Sequence, residues 1–70
     1  MDYKEETTYL IFDKSTNLPD RWVGDSTLCF FGSKEDAMLG LKEEEFVAIP
    51  VSECSEELKK EYRKLIDKEL

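Results

Sequence analysis

The chain has 70 residues, with 17 acidic and 10 basic side chains, no histidine and a formal charge of −7. That length makes one domain, residues 1–70, near the lower limit for a self-sufficient core, since a chain this short buries only about 60% of its unfolded surface. The 40% apolar fraction, with four Phe, three Tyr and one Trp, excludes a disordered polymer.

The charge is uneven: −3 over residues 1–32, −6 over 33–57 and +2 over 58–70. Phosphate backbones are held by clustered Lys and Arg. The one basic grouping, Lys59, Lys60, Arg63, Lys64 and Lys68, alternates with Glu61, Asp67 and Glu69, as on a solvated helix face. No direct nucleic-acid binding is expected. Two cysteines fall short of the dense, even set of a small secreted domain. The opening "MDYKEETTYLIF" lacks a basic start followed by an apolar run, and no window approaches the ~20 apolar residues that span a bilayer. The expectation is a cytoplasmic protein with free thiols and no membrane contact.

In chain order, "TTYLIFD" (Thr7 to Asp13) is β-branched and aromatic. Tyr9 and Ile11 fall on one face and Leu10 and Phe12 on the other, so the pattern predicts a strand covered on both sides. "KSTNLPDRWVGDS" (Lys14 to Ser26) collects turn residues around Trp22 and reads as a long loop, in which Trp22 is expected to fold back on the sheet as a lid. "TLCFF" (Thr27 to Phe31) is a second strand, pairing antiparallel with the first.

"FFGSKEDAMLGL" leads from that strand into a helix and superficially resembles a phosphate-binding loop. A Walker-type loop needs an upstream glycine and Lys before Ser or Thr, because backbone amides cradle the phosphate while Lys and the hydroxyl reach onward. Here Ser33 precedes Lys34 and the upstream glycine is missing. The three spaced glycines of a dinucleotide fingerprint are absent as well. Ser33 with Asp36 three residues on is instead the spacing of a helix cap, and Glu35 and Asp36 favour the positive end of the helix dipole. The helix is short, with Ala37, Met38 and Leu41 on one face and Gly40 ending it in a left-handed conformation.

After the acidic run Glu43, Glu44, Glu45 comes a third strand, Phe46 to Val51, in which Pro50 must lie at an edge or an end. "SEELKKEYRKLIDKEL" then puts Leu58, Tyr62, Leu65, Ile66 and Leu70 on one helical stripe, capped by Ser55, with Glu56 and Glu57 in the first turn. The fold expected is α+β: a small three-stranded sheet with two helices packed on one face, in the order β-β-α-β-α.

Candidate chemistry is sparse. Without histidine the chain lacks the usual general base and the commonest metal ligand. Cys54 precedes a helix start, which lowers a thiol pKa, but Glu53, Glu56 and Glu57 should raise it. Cys29 reads as a core residue. Asp13, Asn17, Asp20 and Asp25 lack the spacing of a calcium loop and read as turn formers. Neither cofactor nor metal is expected, and no enzymatic activity.

The reading that remains is a non-catalytic acidic module engaging a basic protein surface as a regulator or inhibitor. Glu35, Asp36, Glu43, Glu44, Glu45, Glu53, Glu56, Glu57 and Trp22 are its candidate contact residues. One alternative is a self-associating subunit, a homodimer built on an apolar sheet face left uncovered by the helices. A second is an inhibitor whose carboxylates mimic nucleic-acid phosphates.

Overall fold

The computed structural model describes residues 4–69, and the side chains of residues 4–67. Leu70 and the side chains of Lys68 and Glu69 lie outside the described residues. The elements are β1 (Tyr9–Asp13), β2 (Leu18–Pro19), β3 (Phe30–Phe31), α1 (Lys34–Met38), β4 (Phe46–Pro50), a 3-10 turn (Val51–Glu53) and α2 (Glu56–Glu69).

The class is α+β, and the sheet is antiparallel with four strands rather than the three expected. β1 is its axis. β4 pairs along all of β1, from Tyr9 opposite Pro50 to Asp13 opposite Phe46. The other edge of β1 is shared: β2 takes Phe12 and Asp13, and β3 takes Tyr9 and Leu10. β3 and β4 therefore flank β1, and α1 is the crossover between them.

The placement of both helices on one face is also corrected. Leu10 and Phe12 point into a core with Leu28, Val51 and Tyr62, against which Leu58, Leu65 and Ile66 of α2 pack. Ile11 points the other way, into a second core with Ala37 and Ala48, ringed by Tyr9, Phe31, Met38, Leu41 and Phe46. α2 covers one face and α1 the other, giving three layers. This follows from the period-2 alternation of a strand that is apolar on both sides: two apolar faces need two covers. The five-residue α1 suffices because Ala37 lets its backbone approach the sheet closely, while the surrounding aromatic rings cover the rest.

The segment expected to be a plain loop holds two devices. Asp13 Oδ1 accepts from the N–H and hydroxyl of Ser15 at 2.8 and 2.6 Å, and Asn17 takes a left-handed φ of 59°. The chain thus reverses at once and returns as β2. A hairpin arm follows, with Arg21 bridged to Leu28. Trp22 N–H donates to Thr27 O at 2.8 Å, and Cys29 N–H to Asp20 O at 3.2 Å. These pairings are two residues long or less, too short for alternation to be read from sequence.

α1 begins as its sequence indicates: Ser33 Oγ accepts from the Asp36 N–H at 3.1 Å, and Gly40 has φ 78°. Ser33→Ala should therefore cost about 1 kcal/mol of stability in urea titration. An unchanged midpoint would show that the cap contributes nothing.

Candidate protein-binding surface

Glu35, Asp36, Glu43, Glu44, Glu45, Glu53, Glu56 and Glu57 are all solvent-exposed. Because the helices lie on opposite faces, these residues do not share one surface. Glu35 and Asp36 ride on α1. Glu43 to Glu45 occupy the turn into β4, packed by backbone against the β1–β2 reversal: Lys14 N–H donates to Glu45 O at 2.9 Å and Lys14 Nζ to Glu43 O at 2.6 Å. Glu53 ends the 3-10 turn, and Glu56 and Glu57 open α2 on the other face.

Their partners matter more than their number. Among the described residues only Glu56 of this set is ion-paired, with Lys59 at 3.5 Å. The two arginines are spent elsewhere: Arg21 forms a bidentate pair with Glu61, and Arg63 with Glu5 at 2.8 and 3.3 Å. The first ties the hairpin arm to α2, and the second ties the segment before β1 to the same helix. The remaining carboxylates of the set make no ion pair among the described residues, although the Lys14 ammonium lies on the Glu43 carbonyl.

Trp22 does not fold back on the sheet. It is 59% exposed, and its neighbour Val23 is 103% exposed. Arg21 and Leu28 take the α2 side of the arm, Leu28 entering the core, so alternation turns Asp20 and Trp22 away from it. α1 occupies the face that the lid would have covered, and the face a homodimer was expected to use. Among the described residues, Leu18, at 63% exposure, and Leu39, at 82%, are the other exposed large apolar side chains.

A cleft of about 480 Å³ lies beside β2 and the start of α2, lined by Phe12, Leu18, Pro19, Ile49, Cys54 and Leu58 among others. Its nucleophilic groups are engaged: Ser55 Oγ accepts from Leu58 N–H at 3.4 Å, and the Cys54 thiol donates to Pro50 O at 3.4 Å. Burial pushes the Cys54 thiol up; Lys59 opposes this and Glu53 adds to it. Burial rather than the surrounding acids is thus the main cause. Alkylation of Cys54 at neutral pH should be much slower in the folded protein than in urea, and Cys54→Ser nearly silent in stability. Equal labelling rates in the two states would contradict this environment.

The aspartates weighed as cation ligands serve turns. Asp13 is held below the usual carboxylate range by the hydroxyl and then the N–H of Ser15, and Asp25 by the N–H and then the hydroxyl of Thr27. Because the folded values are depressed, any stability they confer is present above the ordinary aspartate range and is lost as pH falls through the lowered values. Among the described residues no three His, Cys, Asp or Glu side chains converge as a metal site, and no helix is long and apolar enough to cross a membrane.

Comparison of the chain with protein-family models, curated proteins and solved structures found no match. The functional reading therefore rests on the surface itself.

Proposed function

We propose that the protein is a non-catalytic binding module that presents its carboxylates to a basic surface on another protein. The observation that supports this is that, among the described residues, seven of the eight candidate carboxylates make no ion pair. Glu35, Asp36, Glu43, Glu44, Glu45, Glu53 and Glu57 are exposed and make no ion pair, while both arginines are locked in bidentate pairs. Uncompensated charge of one sign steers encounter with the opposite sign, accelerating association and selecting the partner more than deepening affinity.

The test is kinetic. Protein retained from the source cell on the immobilised chain at low salt should elute as ionic strength rises, because exposed charges are screened beyond about 10 Å at 0.1 M. Replacing Glu43, Glu44 and Glu45 by Gln should slow association with that protein several-fold and leave dissociation nearly unchanged. Capture indifferent both to salt and to this replacement would refute the reading.

A further inference from the structure

The hairpin arm joins two properties that rarely occur together on a free surface, a large apolar tip and a rigid frame. Trp22 and Val23 are 59% and 103% exposed, on a chain whose other aromatic side chains are at least partly buried where described. Yet the backbone beneath the tip is tied by hydrogen bonds. Trp22 N–H donates to Thr27 O at 2.8 Å and Ser26 N–H to Trp22 O at 3.1 Å. Arg21 reaches both Ser26 O, at 3.0 Å, and Glu61. Asp25 Oδ1 accepts from the N–H and hydroxyl of Thr27 at 3.2 and 2.9 Å. Ser26 is held at φ 59°, a left-handed conformation that a non-glycine residue adopts at a cost. An aromatic carried on backbone ordered in advance loses less entropy on docking than one on a loose loop, and Trp is among the residues enriched in dominant interface contacts.

The charge around the tip identifies what it docks against. Asp20 and Asp25 are exposed and make no ion pair among the described residues. Asp20 precedes the tip and accepts through its carbonyl from Cys29 N–H, and Asp25 follows it, bonded to the same Thr27 that holds Trp22. The intervening cation, Arg21, is neutralised by Glu61. The apolar tip is thus flanked along the arm by two unpaired carboxylates, its negative collar. A second copy brings the same collar and a charge of −7, and an anionic membrane is repelled for the same reason.

Resting on the function proposed above, we infer that Trp22 and Val23 are the apolar anchor of the partner contact. They enter an apolar pocket on the basic protein, and Asp20 and Asp25 meet Lys or Arg on that pocket's rim.

The test uses the full chain carrying a photo-crosslinker, Val23→p-benzoylphenylalanine, in extract of the source cell, with the linked site mapped by mass spectrometry. The linked residues should lie in an apolar pocket with Lys or Arg beside it. With the partner so identified, Trp22→Ala should weaken binding roughly 30-fold, mostly through faster dissociation. Asp20→Asn with Asp25→Asn should weaken it several-fold and flatten the salt dependence. Both variants should melt like the parent protein. Wild-type affinity for Trp22→Ala, linkage to a second copy, to lipid or to an acidic surface, or no linkage at all would overturn the inference. A partner weakened by the Gln replacements at Glu43, Glu44 and Glu45 but not by Trp22→Ala defeats the anchor alone. A partner lost with Trp22→Ala yet indifferent to salt and to every charge replacement defeats the function, and with it the basic rim.

Discussion

Tyr62→Ala should abolish cooperative folding or lower the melting temperature by at least about 12 °C. Tyr62 of α2 is fully buried, its side chain in the core with Leu10, Phe12, Leu28 and Val51. Its ring meets Phe30 edge-on, centroids 5.3 Å apart at 88°, a favoured aromatic geometry, and its hydroxyl donates to Thr8 Oγ1 at 3.2 Å. Removing a buried aromatic side chain costs about 3–5 kcal/mol, whereas a domain of this length has roughly 4–10 kcal/mol in total. Each kcal/mol moves the melting point of so small a domain by about 4–8 °C. Tyr62→Phe keeps the ring and removes only the hydroxyl, so it should cost about 1 kcal/mol. Near-native melting of the alanine variant would mean that α2 does not pack through this residue.

Ile11→Ala should cost about 2–4 kcal/mol, read as a shift of the urea midpoint at constant slope. The result bears directly on the architecture. Ile11 is 2% exposed, enclosed by Ala37 of α1 and Ala48 of β4 on the side of the sheet away from α2. Were both helices on one face, Ile11 would stand in solvent and its truncation would fall within about 0.5 kcal/mol of neutral. Trp22→Ala is the internal contrast: an exposed residue of greater bulk whose loss should leave stability nearly untouched.

The elements long enough to carry a pattern were legible in the sequence. The stripe Leu58, Tyr62, Leu65, Ile66 predicted α2 and its buried face, and Ser33 with Asp36 predicted the start of α1. The two-sided apolar character of β1 was visible too, but its second cover was assigned to the Trp22 loop or a second copy rather than to α1. The short helix with Ala37, Met38 and Leu41 on one face was placed beside α2, whereas smallness at Ala37 lets it cover the opposite face. The hairpin arm left no signal because its pairing amounts to one bridge and a few hydrogen bonds, set by the Asp13 and Asp25 turns rather than by alternation. Trp22 was expected to be a lid because an exposed indole is costly; the chain answered the need for a cover with α1 instead. The acidic residues could each be named, but their division between two faces depends on where the helices lie, which no local pattern records.

The order of manufacture gives the sheet's central strand a particular history. Of the elements described, β1 leaves the ribosome before the rest, and the helix that buries Leu10 and Phe12 leaves after them. Thr8 waits 54 residues for Tyr62, and Glu5 waits 58 for Arg63. Such distant contacts close late, because the loop entropy must be met before they stabilise anything. During synthesis "YLIF" is therefore an apolar, strand-forming tetrapeptide with one or both faces bare, the kind of segment that pairs with neighbouring chains. Lys4, Glu5 and Glu6 before it and Asp13 and Lys14 after it are charges placed where gatekeepers are effective. The nascent protein's solubility depends on them well before the folded one's does.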